Sequence, residues 1–224
     1  MRVAVVLGTR PEIIKLAPVV KELERRGIDF FIVHTGQHYS YSMDRVFFEQ
    51  LELPEPRYNL GAGSGTHAEQ TARMLVGVER GLVREGPDAV VVQGDTNSTL
   101  AGALAAVKLG VPVAHVEAGL RSFDMSMPEE VNRIIVDHVS ALLFAPTQLS
   151  RRNLEREGIL EGVYVTGNTV VDAVAMYLRR AEEAELPLDP PGEYALLTLH
   201  RQENVDNPQR LASAMRGVGL VAEK

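Results

Sequence analysis

The stretch RVAVVLGTRPEIIKLAPVVKELERRGIDFFIVH, residues 2–34, decides the fold class, because it reads as strand, helix and strand with short connections. After Arg2, residues 3–7 are an unbroken β-branched and apolar run, the pattern of a strand covered on both faces. The turn Gly8-Thr9-Arg10 follows, and Pro11 suits the first turn of a helix, where its missing N–H costs nothing. Ile13, Ile14, Leu16, Ala17, Val20 and Leu23 recur at helical spacing as far as Arg26, and Gly27 ends the helix. Residues 28–34 are the next strand.

The alternation continues outward. After an irregular stretch, residues 66–84 read as a helix, 89–93 as a strand, 98–109 as a helix stopping at Gly110, and 111–117 as a strand. Helices at 128–138 and 148–157 flank a strand at 141–144, and 163–166 is a further strand. Strands and helices in turn call for a parallel sheet with helices on both faces. Residues 1–168 are therefore expected to form a Rossmann-like, doubly wound α/β domain. Residues 169–224 begin with a helix (170–184) and a connection containing Pro187, Pro190 and Pro191; 194–199 and 208–222 then read as the first strand and helix of a second α/β unit. One strand and one helix cannot cover each other's apolar faces. The chain is thus expected to be an incomplete two-domain protein, with turnover requiring the rest of the second domain.

Composition narrows the function classes. A net charge of -7 over 224 residues argues against nucleic-acid binding, which needs a basic face to neutralise phosphates. The absence of cysteine removes disulfides, thiolate nucleophiles and cysteine-ligated metals. Met1 runs directly into a strand without a signal-peptide core, and no apolar stretch is long enough to span a bilayer. The expectation is a cytoplasmic protein with no membrane partner.

Ligands of such sheets bind at the carboxyl ends of the strands, and the polar clusters of this sequence follow strands. Gly8-Thr9-Arg10-Pro11-Glu12, with Lys15 one turn later, offers free helix N–H groups and two cations to an anion. It reads equally as a tight turn carrying a surface Arg and Lys, and it is neither a GxGxxG nor a Walker loop. In Gln93-Gly94-Asp95-Thr96-Asn97-Ser98-Thr99, Asp95 or Asn97 reads most simply as a helix cap. In His115-Val116-Glu117-Ala118-Gly119-Leu120-Arg121, period two places His115 and Glu117 on one strand face, roughly 7 Å apart. A carboxylate ending so apolar a strand is costly unless paired, for instance with Arg121, or functional. Glu129 and Glu130 open a helix, where acids complement the dipole. His200 follows the apolar run YALLTL and is expected at a cleft between the domains. No stretch has metal-ligand spacing. Gly61–Thr66 reads as a flexible loop near the ligand.

Taken together, GTRPEIIKLAP, TGQH, GDTNSTLA, HVEAGLRS, MPEEVNR, TGNTVVDA and LTLHRQEN, in that order from residue 8 to residue 204, resemble the non-hydrolysing UDP-N-acetylglucosamine 2-epimerase family. The resemblance implies two Rossmann-like domains in a glycosyltransferase-B-like architecture, a UDP-sugar substrate, no nicotinamide or other cofactor, no metal, and a homodimer. It further implies that Arg10, Lys15 and His200 bind the substrate, His200 near the nucleotide phosphates, and that Asp95, Glu117 and Glu129 are the essential carboxylates. The implied reaction eliminates UDP across C1–C2 to give 2-acetamidoglucal and adds it back after protonation on the other face. Convergence of three carboxylates is expected to raise one of their pKa values.

Two segments depart from the family pattern. Residues 39–48 read YSYSMDRVFF where many bacterial members have Arg-Glu-Met-Leu-Asp-Gln, and FDMSM precedes PEE in place of a Tyr-Ser-Pro-Trp type. Those stretches lie near a second, activating substrate site in bacterial members, so the resemblance carries catalysis but not that regulation. A hydrolysing epimerase, a glycosyltransferase of the same architecture and a non-catalytic UDP-binding module remain as alternatives. A dehydrogenase is disfavoured by the missing GxGxxG fingerprint.

Overall fold

The computed structural model describes residues 1–36, 41–184, 192–199 and 202–222, without the side chains of 41–43, 202 and 203. The first compact unit, Met1–Glu182, is built on seven strands: β1 (Arg2–Leu7), β2 (Asp29–His34), β3 (Tyr58–Asn59), β4 (Ala89–Gln93), β5 (Val113–Val116), β6 (Leu142–Ala145) and β7 (Val163–Val165). They lie in the order β3-β2-β1-β4-β5-β6-β7, and every neighbouring pair is parallel. The intervening helices are α1 (Arg10–Arg25), α2 (Tyr41–Gln50), α3 (His67–Glu85), α4 (Asn97–Lys108), α5 (Pro128–Val139), α6 (Gln148–Arg156) and α7 (Thr169–Glu183). This is the doubly wound α/β fold expected from the alternation.

The apolar strand runs are explained by cover on both faces. Val3, Val5 and Leu7 of β1 pack with Ile13, Leu16 and Val20 of α1, while Ala4 and Val6 pack with Val78 and Leu82 of α3 and Ala103 and Ala106 of α4. From β1 the chain steps outward through β2 and β3. It then returns to the other side of β1 and steps through β4 to β7. Strand order therefore reverses between β1 and β4, where the connections leave a crevice at the carboxyl ends.

Local signals fix the helix ends. Thr66 and Glu69 form a reciprocal capping box at the start of α3, and Gly86, left-handed at φ 57°, closes it. Gly8 is required by close approach: a Cβ there would lie 1.9 Å from Thr35 Oγ1 and 2.2 Å from Ser98 Oγ, two hydroxyls bonded to each other at 2.7 Å.

Some expectations need correction. The stretch between β2 and α3, read as irregular, contains α2 and β3, and Phe48, Leu51 and Leu53 join the core under α1. Strand β5 stops at Val116 because Glu117 is left-handed, with φ 75°. The first unit includes α7: Ala173 is buried, Tyr177 Oη donates to the Leu51 carbonyl (2.8 Å) and Arg180 pairs with Glu52. It thus extends beyond residue 168, where the sequence suggested a boundary.

The second unit, Glu183–Lys224, contains α8 (Gln202–Val205) and α9 (Pro208–Ala222). Residues 194–199, expected as a strand, form none; a strand needs a ladder partner, and no described segment supplies one. Among the described residues, no helix is long and apolar enough to cross a membrane.

Candidate active site

Hydrogen bonds join the segments that follow β1, β4, β5 and β7. Glu12 ties the first two together. Its carboxyl is buried (1% exposed) and accepts from Gly8 N–H (3.0 Å) and Thr9 Oγ1 (2.7 Å) on one side, and from Thr96 Oγ1 (2.8 Å) and Thr99 Oγ1 (3.1 Å) on the other. Burial pushes the Glu12 carboxyl up from its ordinary value, against the opposing pull of these four bonds. Arg10, two residues earlier, is exposed at the start of α1, and its side chain makes no hydrogen bond or ion pair with the described residues.

Glu117 is the centre of the second layer. Lys15 Nζ meets both of its carboxylate oxygens, at 3.0 Å and 2.7 Å, across 102 residues of sequence. Asn168 Nδ2 donates at 2.8 Å and Gln93 Nε2 donates as well. All three partners are donors, so both oxygens of Glu117 act as acceptors. Its side chain is 9% exposed and that of Lys15 26%, which leaves the pair open at one edge. The backbone of Glu117 sits in a left-handed conformation that L-residues avoid, and its N–H and that of Ala118 both point at the Phe144 carbonyl (3.1 Å each).

That conformation breaks the strand alternation. Period two suggested that His115 and Glu117 share a face. Instead His115 bonds Asp137 of α5, and Glu117 reaches Lys15 of α1. Arg121, the suggested partner of Glu117, pairs with Asp137 (2.7 Å) and Glu157 (2.6 Å). Gly119 is needed for that turn: a Cβ at its φ of 77° would lie 2.3 Å from the Ser150 carbonyl oxygen.

Asp95 forms a third group. Neither it nor Asn97 caps α4; Thr96 does so, by accepting from the Thr99 N–H. Asp95 is released to pair with Arg133 Nη2 at 2.6 Å, and its carbonyl accepts from Asn132 Nδ2 at 2.8 Å. Arg133 also bridges to Glu130 (2.5 Å). Glu130 is buried and accepts from the Ser122 and Phe123 N–H groups. Burial alone would raise the Glu130 carboxyl, but those N–H groups and Arg133 outweigh it and hold it below the ordinary range. Glu129, its neighbour, is exposed and unpaired among the described residues.

The structure thus brings Lys15 to Glu117 and Arg133 to Asp95, so two of the three expected carboxylates carry their own cation. His200 and residues 37–40, which include Gln37 and His38 of TGQH, lie outside the described residues. Arg133, Gln93 and Asn168 were missed as site residues. Their signal lay in being polar positions of the motifs GDTNSTLA, MPEEVNR and TGNTVVDA or immediately beside them, but nothing local announces their partners.

A family model described as UDP-N-acetylglucosamine 2-epimerase matches residues 21–224. A curated UDP-N-acetylglucosamine 2-epimerase of Methanocaldococcus jannaschii is 55% identical over 100% of this chain and 63% of its own length. A Pseudomonas aeruginosa protein, UDP-2,3-diacetamido-2,3-dideoxy-D-glucuronate 2-epimerase, is 45% identical over 99% of this chain and 63% of its own. Among solved structures, the Methanocaldococcus jannaschii UDP-GlcNAc 2-epimerase in complex with UDP-GlcNAc and UDP matches with TM-score 0.92 and 55% identity, over 100% of this chain and 63% of that one. The chain therefore spans a little under two thirds of the length of these relatives.

Proposed function

Since this chain belongs to the UDP-N-acetylglucosamine 2-epimerase family, we propose that the whole protein interconverts UDP-N-acetylglucosamine and UDP-N-acetylmannosamine. The observation that carries the reading is Glu117: a carboxylate held in a disfavoured backbone conformation at the strand-order reversal, beside a lysine and open at one edge. Strain of this kind is kept where a side chain must be aimed.

The chemistry explains the residue types. The C2 proton of the sugar is not adjacent to a carbonyl, so simple deprotonation is unfavourable. Breaking the C1–O bond to UDP makes C1 cationic and acidifies the C2 proton. A carboxylate takes that proton, the C2–H electrons form the C1=C2 bond, and 2-acetamidoglucal and UDP result. Protonation of C2 on the opposite face and return of the diphosphate oxygen to C1 complete the inversion. Arg10, Lys15 and His200 stabilise the departing diphosphate. Asp95, Glu117 and Glu129 provide the base, the acid and the charge that stabilises C1. No resident metal or cofactor enters these steps. By the same resemblance, the enzyme works as a homodimer.

The experiment is incubation of the full-length protein with UDP-N-acetylglucosamine, followed by NMR of the sugar. UDP-N-acetylmannosamine as product supports the proposal. Free N-acetylmannosamine and UDP would assign it to a hydrolysing enzyme, and UDP binding without product to a binding module. A second reading is favoured by the Pseudomonas aeruginosa relative: the same C2 inversion on a UDP-diacetamido-glucuronate. Offering both sugars to the enzyme separates the two, since they share the UDP and the C2 acetamido group.

A further inference from the structure

His115 takes no part in the chemistry above, yet it is fully buried (0% exposed) near the end of β5, two residues before Glu117. Its ring is engaged on both sides. Nδ1 lies 2.7 Å from Asp137 Oδ1, and Nε2 lies 2.8 Å from the Gly94 carbonyl oxygen. A carbonyl oxygen only accepts. Asp137 is occupied as an acceptor too, since its Oδ2 receives Arg121 Nη1 at 2.7 Å and the Gly119 N–H at 3.1 Å. Burial would raise the Asp137 carboxyl, but the contacts with His115 and Arg121 outweigh it and hold it below its ordinary value.

A neutral imidazole has one N–H and one lone pair, so it satisfies one of these contacts and sets a lone pair against an oxygen in the other. The doubly protonated ring satisfies both. Charge balance agrees: His115 and Arg121 then face Asp137 and Glu157, two cations against two carboxylates, whereas a neutral ring leaves an excess negative charge in a largely buried cluster.

We infer that His115 is a buried imidazolium and a positioning residue, which clamps the Gly94 carbonyl and thereby holds the turn that presents Asp95, next to the strand end that presents Glu117. Gly94 itself is left-handed, with φ 77°, and the ring of His115 engages its carbonyl oxygen directly. The clamp comes from the neighbouring strand. Its catalytic consequence rests on the proposed function; the state of the ring does not.

The test uses the full-length protein and two substitutions. In H115N the new side-chain amide nitrogen takes the place of Nδ1, which keeps the donor to Asp137 but loses the one to Gly94. H115Q extends a nitrogen to the Nε2 position and keeps the donor to Gly94. The expected result is that H115N lowers kcat between about 10- and 100-fold, with KM and UDP affinity within about twofold of wild type. H115Q keeps kcat within about threefold and loses thermal stability instead. Nitrogen-15 NMR of histidine-labelled wild type, in the assay buffer, is expected to show both nitrogens of His115 protonated.

A folded H115N with wild-type kcat, or a ring carrying a single N–H, overturns the inference. If H115N does not fold, H115Q and the ring spectrum decide: a tenfold loss of kcat in H115Q counts against the clamp. Two ring N–H groups in a wild-type protein that epimerises no UDP-sugar would keep the imidazolium and retire the proposed function.

Discussion

The two sides of β5 at its carboxyl end hold the same kind of pair in opposite circumstances. On the α5 side, Asp137 meets Arg121 with side chains 0% and 1% exposed, and His115 and the Gly119 N–H complete its bonds. On the α1 side, Glu117 meets Lys15 with side chains 9% and 26% exposed, and the backbone that carries Glu117 is strained. The closed cluster has nothing left to offer a ligand. The open pair has an edge, a cation that can be shared with a phosphate, and a carboxylate that can change partners. Burial with complete bonding makes the first a fastener, and incomplete burial makes the second a candidate for chemistry.

Breaking the closed side should show this most strongly. Asp137→Ala strands Arg121 and His115 in the interior, and the expected cost is about 3–5 kcal/mol of stability, read from chemical denaturation. The same substitution on the open side, Glu117→Ala, is expected to cost less stability than Asp137→Ala, because Lys15 can turn to solvent. Equal losses would erase the contrast.

Acidification sharpens it next. Asp137 and Glu130 both have folded-state values below their ordinary ones. Their stabilisation is therefore complete above the ordinary carboxylate range and is lost as pH falls through the lower folded values. The thermal midpoint is expected to fall as pH drops below the ordinary carboxylate range of about 4, and to fall less steeply in Glu130→Gln. A wild-type profile with no acid decline would contradict the assigned bonding.

Glu12 runs the other way and gives the smallest effect. Its folded value is raised, so the stability it contributes is present below the ordinary glutamate range and is lost as pH rises through the folded value. Glu12→Gln is expected to remove that loss. Its amide can donate to the Thr96 and Thr99 hydroxyls while its carbonyl oxygen keeps the Gly8 and Thr9 donors, so the change at neutral pH is within about 1 kcal/mol. Denaturation at pH 5 and pH 7 measures it, and a large destabilisation at pH 7 would show that the charged form is the one the pocket holds.

Much of the sheet was legible because strands covered on both faces read as unbroken apolar runs, and because Gly27 and Gly110 mark helix ends with left-handed conformations. What escaped was short or unpatterned. β3 is two residues long, and the apolar residues Val46, Phe47 and Phe48 of α2 are contiguous in sequence, so no helical period stands out. The site was legible as a set of polar clusters after strands. Its wiring was not. Lys15 finds Glu117 across 102 residues and Asn168 finds it across 51, distances at which local pattern is silent. The α4 cap shows the finer limit: Asp95, Thr96 and Asn97 all have capping side chains, and which one caps depends on a helix boundary set to a single residue. At Glu117, one left-handed residue was enough to reverse the face assigned by alternation.

In the proposed reaction the open pair, not the closed cluster, works on C2 of the sugar. The most direct test places the full-length protein and its Glu117→Gln variant in deuterated water with UDP-N-acetylglucosamine and follows deuterium entry at C2 by NMR. The expected result is exchange by the wild type and exchange slower by about 100-fold or more in the variant, with its thermal midpoint retained. Exchange by Glu117→Gln at the wild-type rate would contradict it and move the chemistry to another carboxylate.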